Sequence, residues 1–269
     1  MTRELKLDTS KIIGRINNDG IGWLVFNNPQ RHNALSLEMW QGIGDVLETF
    51  AGDDDVRVAI MRGAGGKAFV SGADISEFDS KRASASQEGD YASIAGRANR
   101  WLSQFEKPLI ALIEGYCIGG GLATALAADV RFATPESKFG IPAAKLGLGY
   151  GYSGLAKLAN AVGPARARDI MFSARLMAAD EAQSMGLINF VTAGKDIEAE
   201  SIAYAQRIAG NAPLTVRAAK SAINAWEQGA RPEDLDRVRE QVSACFDSQD
   251  YKEGRRAFKE KRTPDFLGR

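Results

Sequence analysis

Short, dense apolar runs broken by polar turns fill the front of the chain, and longer helical stretches fill its end. Lys11 to Ile16 and Gly20 to Phe26 are aliphatic runs joined by Asn17-Asn18-Asp19, a pattern that predicts two strands and a hairpin turn. Ser36 stands where it can cap a helix running through Phe50. Asp53-Asp54-Asp55 then leads into VRVAIMRG, whose β-branched residues predict a buried strand. A second round follows: a helical stretch from about Gln87 to Phe105, a stop at Lys107-Pro108, the strand LIALIEG, and a helix that starts at three consecutive glycines. Strand and helix in alternation predict a layered α/β core. From about Asp196 the rhythm changes to four successive helices, Ile197 to Ala209, Leu214 to Gln228, Glu233 to Phe246 and Tyr251 to Lys261, with no strand among them. The expected organisation is an α/β core over residues 1–195 and a helical region over residues 196–269.

Composition narrows the class of function. A chain of 269 residues, 45% apolar and 25% charged, can bury one sizeable core and behaves as an ordinary folded protein. Its 34 basic residues balance 34 acidic ones, so no overall field draws it onto nucleic acid or an anionic membrane. A small ligand recognised locally is the better expectation. Cys117 and Cys245 lie far apart with no C-x-x-C pair, which fits a reduced compartment and offers no metal-ligand spacing. The N-terminus lacks an apolar stretch of signal-peptide length, and Leu109 to Val130 is interrupted by Glu114 and three glycines, so no membrane span is expected and a cytoplasmic location follows.

Two stretches carry chemistry. In Lys67-Ala-Phe-Val-Ser-Gly-Ala-Asp-Ile75 a short strand turns at Gly72, and Asp74 with Glu77 has the spacing of a capping box, which leaves the Ala73 N–H pointing outward. In Ile118-Gly-Gly-Gly-Leu-Ala123 a strand passes through glycines into a helix whose first N–H groups lack partners inside it. One N–H from each turn would make an oxyanion hole, each donor lowering a barrier by roughly 3 kcal/mol. Plain tight packing also accounts for three glycines, and spacing alone leaves both readings open.

The combination is more specific. Through NPQRHNAL (Asn28 to Leu35), AFVSGADI, the strand-GGG-helix, FGIPAAKLGL and the tail AFKEKR, nearly the whole chain resembles the enoyl-CoA hydratase/isomerase (crotonase) family. The resemblance implies a spiral of β-β-α units with a C-terminal trimerisation region, assembled as trimers or pairs of trimers. It implies oxyanion donors at Ala73 and Gly120, and coenzyme A as part of the thioester substrate, with no tightly bound cofactor and no metal. It places Arg31, Ala34 and Lys67 around the CoA, with Phe258 and Lys261 reaching over from a neighbouring subunit. From Lys252 to Arg262 six residues are basic and two acidic, which suits a phosphate-rich ligand, although a solvated helix face explains the same charges.

One departure matters. Hydratases of this family resemble one another in two glutamates that handle water, and those positions are Ala123 and Ala143 here. Neither alanine can transfer a proton, so ordinary two-glutamate hydration is not expected. Tyr150 and Tyr152, in LGLGYGYSG, follow the segment that should line the acyl site. Tyr150 falls where some decarboxylating relatives carry a tyrosine and could orient a substrate carboxylate; equally, both tyrosines could simply wall an apolar pocket. His32 is read as a loop residue beside the CoA entrance, Asp129 as a helix-terminal structural group, Glu114 as a partner for backbone N–H groups, and Cys117 as a small core residue with no basic neighbour. A non-catalytic acyl-CoA binder remains the rival to an enzyme.

Overall fold

The computed structural model describes residues 2–74, 76 and 85–269, residues 85–92 by their backbone alone. The elements are β1 (Arg3–Glu4), β2 (Ile12–Ile16), β3 (Ile21–Phe26), α1 (Leu37–Gly52), β4 (Val58–Gly63), β5 (Ala68–Val70), α2 (Ala85–Gln104), β6 (Leu109–Ile113), β7 (Tyr116–Ile118), α3 (Gly120–Ala125), β8 (Val130–Ala133) and β9 (Lys138–Gly140). After them come α4 (Tyr152–Val162), α5 (Pro164–Ser173), β10 (Met177–Ala178), α6 (Ala179–Ser184), β11 (Phe190–Val191), α7 (Ile197–Ala209), α8 (Pro213–Glu227), α9 (Pro232–Asp247) and α10 (Gln249–Glu260). The hairpin, α1, α2 and the four C-terminal helices lie where the hydrophobic pattern puts them, within a few residues at each end.

A seven-stranded sheet runs β1-β2-β3-β4-β6-β8-β11, antiparallel up to β3 and parallel beyond it. Its central strands are covered on both faces, so they read as unbroken apolar runs and not as alternation. In β4, Ala59 and Met61 join the main core with α1, while Val58 and Ile60 face a second cluster closed by Ile197 and Ala205 of α7. The same split divides Ala111 from Ile110 and Leu112 in β6.

A second sheet, β10-β9-β7-β5, escapes the sequence reading. Its strands are two or three residues long, too short to show a period of two. β5, β7 and β9 are parallel neighbours, so the chain leaves all three at the same end of that sheet.

Two smaller expectations need correction. Ser36 occupies the N-cap position of α1, yet its hydroxyl caps nothing: the oxygen is buried and has no hydrogen-bond partner among the described residues. Among the described residues, the Glu114 carboxylate accepts no backbone N–H. It pairs with the Arg62 guanidinium at 3.1 Å, and Arg62 also reaches Glu198 of α7 at 2.6 Å, which ties the sheet to the start of the helical region. Glu77 lies outside the described residues. Among the described residues, no helix is long and apolar enough to cross a membrane.

Candidate active site

The three strand exits of the small sheet define the site. β5 leads into Ser71-Gly72-Ala73, β7 into Gly119-Gly120 and α3, and β9 into the 3-10 turn Pro142–Leu146. Ligands collect at the carboxyl ends of parallel strands because backbone groups there have run out of sheet partners.

Ala73 forms an isolated parallel bridge with Leu35. In that bridge the Leu35 N–H donates to Gly72 O at 2.8 Å and the Asp74 N–H donates to Leu35 O at 2.9 Å. Residue 35 thus bonds the residues on either side of Ala73, and the Ala73 N–H faces the other way, with no acceptor among the described residues. Gly120 is the first residue of α3, where an N–H has no intrahelical acceptor. The preceding Gly119 holds φ 55 and ψ −117, a conformation open only to glycine, and its own N–H is spent on Gly140 O at 2.8 Å. A Cβ built on Gly120 would sit 3.9 Å from Ala73 N, so the two turns lie side by side with their free donors adjacent.

Ala123 lies half-buried on the first turn of α3, and Ala143, 4% exposed, lies in the turn after β9. The structure thus gathers Ala73, Gly120, Ala123 and Ala143 at one end of the small sheet. Tyr150 joins them: its hydroxyl is 3.8 Å from the point where a Cβ on Gly119 would be. Burial raises the pKa of that phenol, so it is held as a neutral hydrogen-bond donor. Tyr152 turns outward as the first residue of α4 and is 87% exposed.

The residues expected around CoA divide. Arg31 and Ala34 lie in the loop before Leu35 and Lys67 at the start of β5; Arg31 and Lys67 are exposed, and Arg31 stands 3.9 Å from the Asp74 carboxylate. Phe258, 86% exposed, and Lys261, at the end of α10, are elsewhere; Phe258 lines a groove with Val242, Phe246 and Tyr251.

Sequence reasoning missed Asn33. Fully buried in a left-handed conformation, it accepts the Asn28 N–H through Oδ1 and donates through Nδ2 to Ala64 O and Ala68 O. It locks the NPQRHNAL loop onto the start of β5 and so positions the Leu35–Ala73 bridge. The signal was present: asparagine tolerates the left-handed region, and a polar loop that must turn there favours it. His32, beside it, stacks at 6.2 Å on exposed Tyr116 at the surface. Asp129 is structural as expected, accepting the Leu109 N–H and pairing with Lys220. Cys117 is fully buried and its pKa is raised by desolvation; Arg131, a basic neighbour that the sequence did not reveal, opposes that shift only weakly.

Residues 16–269 match the enoyl-CoA hydratase/isomerase family model, and the chain belongs to that family. It is 34% identical over 250 residues to a crotonyl-CoA hydratase of Syntrophomonas wolfei, covering 91% of this chain and 94% of that one. A short-chain-enoyl-CoA hydratase of Clostridium acetobutylicum is also 34% identical, over 89% of this chain and 91% of its own. Among solved structures, an enoyl-CoA hydratase/carnitine racemase from Magnetospirillum magneticum superposes with a TM-score of 0.90 at 37% identity, covering 97% of each chain. The α/β fold with its parallel sheet and C-terminal helices is the crotonase fold.

Proposed function

We propose that this acyl-CoA-processing enzyme binds a CoA thioester with its carbonyl oxygen between the N–H groups of Ala73 and Gly120. The observation that carries the reading is that the Ala73 N–H, which has no acceptor among the described residues, lies beside Gly120, the first residue of α3. Negative charge that develops on the oxygen, in an enolate or a tetrahedral adduct, is stabilised by donors already in place. Arg31, Ala34 and Lys67 hold the CoA from the β5 side, and Phe258 and Lys261 of a neighbouring subunit complete the grip.

The proton chemistry differs from two-glutamate hydration. Ala123 and Ala143 sit at the two strand exits where a carboxylate would face the acyl group, and methyl groups cannot carry protons. Tyr150, held neutral beside Gly119, is the polar group that remains to orient a substrate carboxylate or deliver a proton. The reaction that best suits this set is loss of CO2, in which the pair of the broken C–C bond stays on the α-carbon as an enolate held by Ala73 and Gly120, with thioester hydrolysis by the same oxyanion site as the alternative. The two alanines also support a second reading, a protein that binds acyl-CoA without transforming it.

Gly120→Pro tests the proposal. Proline removes the N–H, and the first position of a helix accepts proline because its φ suits the helix and no intrahelical bond is lost. Incubation of parent and variant with crotonyl-, 3-enoyl-, malonyl- and methylmalonyl-CoA, followed by mass spectrometry, should show one substrate turned over by the parent and about 10²–10³-fold slower turnover in the variant. Equal rates in a folded variant would sink the oxyanion assignment. Tight binding with no turnover of any thioester would establish the non-catalytic reading.

A further inference from the structure

Away from the strand exits, a cavity of about 370 Å³ lies between α4, α8 and the segment that joins α3 to β8. Five titratable groups line it: Asp129, Arg131, Lys157, Lys220 and Glu227. Lys220 and Asp129 neutralise each other at 2.8 Å. Arg131, 8% exposed, spends Nε on Leu187 O and Nη1 on Ala128 O, both neutral carbonyls that satisfy its hydrogens without balancing its charge. The side chain of Lys157, on α4, makes no hydrogen bond or ion pair among the described residues. Burial lowers the pKa of both cations; through space Asp129 and then Glu227 oppose this at Arg131, while at Lys157 Glu227 and then Asp129 oppose it and Lys220 adds to it. Glu227 itself is exposed, so water screens its charge. Three cations, Arg131, Lys157 and Lys220, therefore face this cavity against two carboxylates, Asp129 and Glu227, and buried positive charge in excess of its counter-charge is costly.

We propose that this cavity binds a small monovalent anion, of the size of a halide or a simple carboxylate, between Arg131 and Lys157. Arg131 Nη2 and Lys157 Nζ have no acceptor among the described residues, and Leu126, Ala161 and Val216 add apolar wall to the cavity. The bound charge would fix α8 against α4 and so brace the helical region on the core. The inference is independent of the acyl-CoA reading, since none of these residues belongs to the turns at Ala73 and Gly120.

Two measurements test it. Crystals soaked in sodium bromide should show an anomalous peak in contact with Arg131 and Lys157. In solution, each tenfold rise in sodium bromide should raise the melting temperature of the parent by roughly 3–5 °C once the site fills. Lys157→Met, which keeps the stem and removes the charge, should lose that rise, and Lys157→Gln serves if the methionine variant does not fold. A cavity without bromide, or a salt dependence that the Lys157 variant shares with the parent, overturns the proposal.

Discussion

The carbonyl oxygen of Val70 stands 2.1 Å from the point that a Cβ on Gly121 would occupy. β5 and the first turn of α3 therefore meet backbone to backbone, and this contact sets how closely Ala73 approaches Gly120. Gly121→Ala cannot be relieved by a rotamer change, because the opposing atom is main chain. The expected cost is about 1–3 kcal/mol of stability, read by urea denaturation. Turnover of the acyl-CoA substrate should fall at least tenfold, roughly the effect of losing 1.4 kcal/mol of transition-state binding, because the two donors are forced apart. A variant as stable and as active as the parent would show that the contact does not set the site.

The turn at Gly119 and Gly120 was legible from sequence because its cause is local: a strand, a residue that permits an unusual backbone, a helix start; at Gly72 the strand and the glycine were legible in the same way. The four C-terminal helices were legible for a similar reason, since each repeats its apolar spacing over three turns or more. The small sheet was not. β7 and β9 hold together through parallel pairing with strands far away in sequence, such as Tyr116 with Lys138, and no local pattern announces that partner. The same limit hid Asn33, whose acceptors Ala64 and Ala68 come from beyond α1, and the Arg62–Glu114 pair, which crosses from β4 to the end of β6. The alanines at 123 and 143 could be placed in the family pattern from sequence, but their convergence with Tyr150 depends on which strands are neighbours.

Tyr150→Phe separates a reacting group from a pocket wall. If the hydroxyl orients the substrate or moves a proton, kcat should fall by about 10²-fold with the fold intact. The pH dependence of stability gives a second readout. Burial raises the pKa of Tyr150 above its ordinary 10.0, so the unfolded chain releases this proton first as pH rises. The associated stability is complete below pH 10 and is lost above it, through the folded value. The phenylalanine variant should lack this component of the alkaline decline in thermal melts. A decline identical to the parent's would mean that Tyr150 reaches water freely.

Restoring carboxylates should restore hydration. Ala123→Glu is half-exposed and should be tolerated, whereas Ala143→Glu places an acid where the alanine is 4% exposed and packed in the main core. The second change is expected to cost about 1–3 kcal/mol and to carry a raised glutamate pKa. The double variant should nonetheless convert crotonyl-CoA to the hydroxyacyl product, followed by loss of enoyl absorbance, while the parent does not. Efficient hydration by the parent would instead require a proton-transfer group other than these two positions.

The outer face of the C-terminal helices argues for self-assembly. α8, α9 and α10 enclose an apolar groove of about 790 Å³ lined by Ala218, Ala222, Val242, Phe246, Tyr251 and Phe258. Three of these, Val242, Phe246 and Phe258, are 42%, 59% and 86% exposed in a single chain. A continuous apolar surface of this kind marks a contact, and further copies of the same helices would bury it. Light scattering after size exclusion should give three or six times the 29.0 kDa chain mass. Val242→Asp, which sets a charge in the groove, should release monomers with unchanged helix content and weaker binding of acyl-CoA, because Phe258 and Lys261 would no longer reach a neighbour's site. A parent protein that runs as a monomer would remove the trimer from the reading and leave the CoA held by Arg31, Ala34 and Lys67 alone.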